Sequence, residues 1–364
     1  MKVVHLLPAL EQGGVESVVC DLVRALPCES VVVSKGGRLT EQLVADGGRH
    51  VMFDVKSKNP LTCFWRAWKL RRILESEKPD LVCAHSRVPA WLFVWANRGL
   101  GLRWITYAHG ANSVSRYSEV MTKGDLIVTP SRVLADYLKA NYGTPEAKIR
   151  VIPNSVDAVR FDPDRLDREF VAAKRREWGI RAGDRVVMAI GRITPVKGLD
   201  SLIREFAKGE SQISNLKFGT SDSKSNNQTI EQSNNVKLVI VGGADKHHLK
   251  YLESLKALAR DVRREAGDVI FAGPQEKIPE CISIADEIVS ANTTKPETFG
   301  LSVVEAYAMN KPVRAKRFGG VAEVMAAVEG AGKATLREAV LSLYGTERQA
   351  ERTLAVYREA RDMV

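Results

Sequence analysis

A chain of 364 residues, 45% hydrophobic and 27% charged, is globular in composition and longer than one core usually serves, so two α/β domains are expected. Lys and Arg exceed Asp and Glu by 54 to 44, which favours an anionic partner, but no recognised nucleic-acid module or concentrated basic tail is present, so nucleic acid is set aside. Five scattered cysteines without C-x-x-C spacing argue against a disulfide framework or a zinc site, and no run of about 18 apolar residues is available to span a membrane. A reducing, cytoplasmic setting with at most peripheral membrane contact is expected.

The N-terminal VVHLL reads as a first strand, because its apolar run is broken too soon by Pro8 and Glu11 to be a secretory leader. Gly13 and Gly14 follow, opening a helix. Paired glycines there either let the backbone approach an anionic ligand at the helix N-terminus or simply form a tight turn. SVVVS and VMFDV continue the strands. In the next helix, NPLTCFWRAWKLRRILESE, a period of 100° per residue puts Cys63, Ala67, Leu70, Ile73 and Leu74 on one face. Leu61, Phe64, Trp65 and Trp68 share nearly the opposite face, with Arg66, Lys69, Arg71 and Arg72 on its flanks and among it. Such a stripe suits an anionic bilayer surface or packing under a neighbouring loop, and Phe64, Trp65, Trp68 and Arg72 are the candidate membrane-facing residues.

DLVCAH, RWITYAH, DLIVTPS and IRVIP complete the first run of strands, and His85 and His109 fall directly after two of them. Either could orient a substrate or be structural. Residues 153–164, PNSVDAVRFDPD, have the Pro, Asn and Asp content of a domain boundary. Asp162 and Asp164 have a spacing some metal sites use, but they lie in that boundary away from a strand end, and no metal is assigned.

RVVMAIG begins a second set of strands. Arg192 and Lys197 follow it, where the carboxyl end of a parallel strand would aim both cations into a ligand crevice. A planar fork and a mobile point charge suit a diphosphate, although G-x-x-x-x-G-K-[ST] is absent and both could be ordinary surface cations. The polar stretch at about 208–235 reads as a flexible surface insertion. VKLVIVGG, DVIFAG, DEIVSA and KPVRA continue the alternation of strand and helix that means parallel sheets covered on both faces. His247 and His248 are neighbours on a helical segment, so their rings diverge.

In KPETFGLSVVEAYAMNKPV the spacing of Leu301, Val304 and Ala308 starts a helix near Phe299 and Gly300. Glu297 precedes it and Glu305 lies one to two turns inside. Two acids stacked along one element do not face each other across a bond as a cleaving pair does. They suit hydrogen bonds from ligand hydroxyls, or else serve as a surface and a helix-end glutamate.

Together these motifs resemble the retaining glycosyltransferases of family four, whose GT-B fold has two Rossmann-like doubly wound domains facing across a cleft. The family's E-x7-E pattern is met by Glu297 and Glu305. GGVE, VIPNSVD, GRITPVKG and FGGVAEV stand in family order from residue 5 to about 324. LPALEQGGVE, KSKNP, HSRVPAW and AHGANS further resemble the branch that builds bacterial lipopolysaccharide core.

The resemblance implies an acceptor domain over 1–155 and a donor domain over 156–345. A C-terminal helix over 346–364 would be able to pack back on the first domain. Arg192 and Lys197 would neutralise the diphosphate of a GDP- or UDP-sugar, and Glu305 would hold the ribose. Glu297, with backbone around Phe299, Gly300 and Leu301, would hold the sugar. His109 would lie beside the transferred group, and Gly13 and Gly14 would approach the phosphates. Transfer with retention to a lipid-linked saccharide at the anionic inner leaflet would need no cofactor and no metal. A nucleotide-sugar epimerase of the same shape and a catalytically silent relative that binds glycan or envelope components are the alternatives. The segment after FGGVAEV is shorter than in relatives, and VRAKRFGG carries unusual cations, which puts turnover in question.

Overall fold

The computed structural model describes residues 1–11, 13–207, 235–266, 268–292 and 296–363. Apart from Asn235, the polar stretch at about 208–235 lies outside them. The chain divides into two compact units, Met1–Ser155 with Tyr344–Val364, and Val156–Leu343.

The first unit is a seven-stranded parallel sheet. Its strands are β1 (Lys2–Leu6), β2 (Glu29–Ser34), β3 (Arg49–Met52), β4 (Leu81–Ala84), β5 (Trp104–Tyr107), β6 (Leu126–Thr129) and β7 (Ile149–Val151), in the order β3-β2-β1-β4-β5-β6-β7. The order reverses direction at β1 and β4, which makes a switch point at their carboxyl ends. Helices α1 (Gly14–Ala25), α2 (Thr40–Ala45), α3 (Cys63–Glu77), α4 (Arg87–Ala96) and α5 (Arg132–Tyr142) connect the strands.

Because side chains alternate across a strand, the two faces have separate cores. Val4, Leu6, Val82 and Ala84 pack with Ala67, Leu70 and Leu74 of α3 and with Leu92 and Phe93 of α4. Val3, Leu81, Cys83, Ile105 and Tyr107 pack on the other face with Val18 and Leu22 of α1. The C-terminal helix of the chain, described below, also lies on this second face.

The second unit has five parallel strands, β8 (Arg185–Ile190), β9 (Val236–Val241), β10 (Asp268–Gly273), β11 (Glu287–Ser290) and β12 (Val313–Ala315), in the order β10-β9-β8-β11-β12. Its switch point is at β8 and β11. The helices are α6 (Arg168–Glu177), α7 (Leu199–Ala207), α8 (Leu249–Ala266), α9 (Ile278–Ile284), α10 (Leu301–Ala308), α11 (Gly320–Glu329) and α12 (Leu336–Tyr344). All twelve apolar runs anticipated as strands are strands. His247 and His248 differ from expectation: they sit in the turn before α8, where the Asp245 carboxylate bonds the His247 amide and the His248 ring.

The last helix, α13 (Thr346–Asp362), belongs to the first unit. Its Ala350, Val356, Tyr357 and Ala360 enter the core beside α1 and β4. Arg150 pairs with Glu359, and the Ser155 hydroxyl donates to Gln349.

Candidate functional site

In the second unit, β8 runs into Gly191, whose φ of +146° is readily open only to glycine. A Cβ on Gly242, at the end of β9, would stand 1.8 Å from the Gly191 carbonyl oxygen, so the two glycines let these strand ends meet. The chain then turns through Arg192, which is exposed, and a 3-10 turn over Pro195–Lys197 before α7 begins. A pocket opens here at the carboxyl ends of β8 and β11, lined in part by Gly191, Arg192, Lys197, Ser290 and Asn292. This is the switch-point position at which doubly wound sheets take ligands.

Lys197 reaches across to the loop before α10, where its Nζ donates to Glu297 Oε1. Burial, and then the neighbouring Arg192 guanidinium, pull the Lys197 ammonium down to about 8. The Glu297 carboxylate acts in the opposite sense by favouring the charged form. Glu297 Oε2 is buried and has no hydrogen-bond partner, and the same is true of Asn292 Oδ1 in the pocket. Buried oxygens left without donors are costly, which suits a site whose ligand brings hydroxyl or amide protons.

The position of Glu297 is set by FGGV. Glu297 bridges to Gly319, and the Gly320 amide donates to the Glu297 carbonyl at 2.7 Å. A Cβ on Gly319 would lie 2.5 Å from Pro296 Cβ, and one on Gly320 would lie 2.3 Å from the Thr298 carbonyl oxygen. No larger residue allows α11 to begin flush against this loop. Phe299 is buried beneath it, and Gly300, with φ +97°, caps α10 ahead of Leu301. Val303, Val304, Ala306, Tyr307 and Ala308 of α10 are buried, and Glu305 is half-buried one turn in. Thus Lys197, Glu297, Phe299, Gly300, Leu301 and Glu305 share one loop-and-helix assembly.

Gly13, Gly14 and His109 belong to the first unit. Gly13 is the extended N-cap of α1, and Gly14 is its first residue. His109 follows β5 and is joined to two histidines that local motifs leave unconnected. His109 Nε2 meets His85 Nδ1 at 3.1 Å, and His85 Nε2 meets His5 Nδ1 at 3.1 Å. Desolvation holds His5 and His109 at about 4 and His85 well below the usual imidazole value, so all three are neutral near pH 7.

On α3, Phe64, Trp65 and Trp68 are 78%, 53% and 54% exposed, and Leu61 just before it is 90% exposed. Lys69 stands over the Trp65 ring and Arg72 over that of Trp68. Arg66 departs from the expected flank position: it is buried and bonds the Thr62 hydroxyl and the Asn59 carbonyl. The turn over Pro60–Thr62 folds back over the helix start and covers it, which a helical wheel does not register. Among the described residues no helix is long and apolar enough to cross a membrane, and no group of three or more His, Cys, Asp or Glu could hold a metal ion.

Two family models match the chain: Glycosyltransferase Family 4 over residues 12–160 and Glycosyl transferases group 1 over residues 170–333. The chain belongs to glycosyltransferase family 4. Among curated relatives, a D-inositol 3-phosphate glycosyltransferase of Acidothermus cellulolyticus is 31% identical over 206 residues, 56% of this chain and 41% of the relative. The matches span about two fifths of the length of such curated relatives. Among solved structures, Anabaena HepE in complex with UDP and glucose superposes with a TM-score of 0.78 at 18% identity, covering 98% of this chain and 99% of that one. WaaG, a glycosyltransferase involved in lipopolysaccharide biosynthesis, gives 0.64 at 16% identity, covering 100% of this chain and 95% of that one. The fold is that of the GT-B glycosyltransferases, with two parallel-sheet α/β domains.

Proposed function

We propose that the protein transfers a sugar, with retention of anomeric configuration, from a nucleoside-diphosphate sugar to a lipid-linked saccharide such as lipopolysaccharide core. The observation that carries this reading is the pairing of Lys197 with Glu297 beside Arg192 at the switch point of the second sheet, with Glu297 Oε2 buried and unpartnered. Arg192 and Lys197 take the diphosphate, Glu305 the ribose, and Glu297 the sugar hydroxyls, with backbone of Phe299, Gly300 and Leu301 alongside. Gly13 and Gly14 are assigned to the phosphates and His109 to the transferred sugar. The UDP complex of HepE supports a nucleotide donor, and the involvement of WaaG in lipopolysaccharide biosynthesis supports a lipopolysaccharide acceptor.

The chemistry follows from where charge develops. The bond from the anomeric carbon to the phosphate oxygen breaks, and that oxygen gains negative charge as the carbon becomes cationic. Fixed cations at the leaving oxygen lower the barrier, because they act in a partly dry site and need not reorganise. The acceptor hydroxyl attacks from the same face, and its proton passes to the departing phosphate. Two side-chain cations supply the neutralising charge, so we read the transfer as metal-independent.

The acceptor reading is supported by the exposed Phe64, Trp65 and Trp68 face edged by Lys69 and Arg72. We assign this face to the anionic inner leaflet of the cytoplasmic membrane, with the enzyme peripheral on its cytoplasmic side. The test begins with thermal shift of the purified chain against UDP, GDP and their sugars, since a ligand of the folded state raises its apparent stability. A nucleoside diphosphate should stabilise the wild type and not Lys197→Ala, and labelled donor should be hydrolysed or transferred. Binding without turnover would favour the silent relative, and no nucleotide response at all would overturn the donor site.

A further inference from the structure

The three imidazoles of the first unit form a closed row. His5 stacks on His85 with ring centroids 5.3 Å apart, and His85 on His109 at 5.4 Å, while Tyr107 covers His85 at 4.6 Å. The strand period explains the row. His5 pairs with Cys83 in register, so His85 just after β4, Tyr107 at the end of the adjoining β5 and His109 just beyond it have the parity of one face.

Each contact joins two ring nitrogens, so one nitrogen must carry hydrogen and the other a lone pair. With all three rings neutral, only two arrangements exist: every proton directed toward His109, or every proton directed toward His5. The neighbouring Cys83, Tyr107 and Tyr357 stay uncharged, since burial pushes the Cys83 thiol up to about 12 and raises the Tyr107 and Tyr357 hydroxyls well above their usual value. The His5 end of the row distinguishes the two. His5 Nε2 is buried without a hydrogen-bond partner. An orphaned buried N–H is rarer in proteins than an under-satisfied acceptor, so the lone pair belongs at that nitrogen. His5 then donates from Nδ1 to His85 Nε2, and His85 donates from Nδ1 to His109 Nε2.

We infer that His5 and His85 are positioning residues that hold His109 as its neutral Nδ1–H tautomer, with Nε2 occupied as an acceptor. His109 is thereby a neutral donor from Nδ1 and is withdrawn from service as a base at Nε2. The consequence for transfer rests on the assignment of His109 to the sugar. A donor of this kind can hold a sugar oxygen without adding positive charge beside a carbon that is itself becoming cationic.

The chain has six histidines, few enough for assignment in a long-range nitrogen–proton correlation spectrum of the full-length protein with 15N-labelled histidine. His109 should show a protonated Nδ1 and a bare Nε2, with no titration between about pH 5 and 8. His85→Phe keeps a stacked ring but removes the donor, and should move His109 to the Nε2–H form or a mixture. Should that variant fail to fold, His5→Phe serves instead and should release the single tautomer of both His85 and His109. An Nε2–H form of His109 in the wild type, titration near 6.5, or an unchanged tautomer in a folded variant overturns the inference. If donor turnover is present, either variant should lower kcat about tenfold and leave KM for the donor unchanged, as loss of an orienting partner does. The spectrum reads the tautomer whether or not sugar is transferred, so failure of the transferase assignment is told apart from failure of the row.

Discussion

Lys197 is subject to opposed influences. Burial and Arg192 disfavour its charge, while Glu297 favours it, and the ammonium is pulled down to about 8. A diphosphate needs the charged form. Raising the pH through about 8 therefore removes a cation from the proposed donor site, well before an ordinary lysine would titrate at about 10.4. Calorimetry of UDP and GDP binding from pH 6.5 to 9.5 should show affinity falling across a midpoint near or somewhat above 8, because the bound anion itself raises the lysine. Lys197→Arg, whose guanidinium stays charged, should flatten that fall. Affinity that is constant to pH 9.5 in the wild type would mean that Lys197 does not face the phosphates.

At the scale of elements, α3 presents two surfaces with different duties. Ala67, Leu70 and Leu74 lie in the core, while Phe64 stacks on Trp95 and Trp65 and Trp68 stay exposed under Lys69 and Arg72. Aromatic rings with cations stacked above them can enter a headgroup layer while the cations stay at anionic lipid. Flotation of Trp65→Ser/Trp68→Ser with anionic vesicles should show binding weakened at least tenfold, equivalent to about 1.4 kcal/mol, a fraction of what two fully buried large side chains contribute. Binding should also fall with salt, and equal flotation of variant and wild type would remove the membrane from the reading.

The helix and its exposed stripe were legible because a 100° period needs only local sequence, and the strands because their β-branched runs are bounded by turn residues. The burial of Arg66 was not, since it depends on a turn that precedes the helix. Nor was the row of His5, His85 and His109, which requires knowing that β1 lies beside β4 and β4 beside β5. Same-parity histidines at strand ends are a signal only once that order is known. Asn292 carried no motif at all, and only its unpartnered oxygen in the pocket points to it.

For the molecule as a whole, the path of the chain matters more than any single element. It leaves the first unit at Ser155, builds the second, and returns at Tyr344 to lay α13 on the first sheet. Tyr357 is fully buried there, its hydroxyl meets that of Tyr107 at 3.1 Å, and its ring lies 6.4 Å from His5. The first core is therefore completed by residues that follow the second unit in the chain. Tyr357→Ala opens a large cavity in that core and should cost about 3 to 5 kcal/mol, the range for buried aromatic truncation. Because the cavity lies within the first unit, the loss should be local. Hydrogen exchange resolved by segment should show β1, β4 and β5 losing protection while β8, β9 and β11 keep theirs. Tyr357→Phe, which keeps the ring and removes one hydroxyl, should cost about 1 kcal/mol. Equal loss of protection in both sheets would show instead that the two units unfold as one, with α13 fastening more than the core it enters.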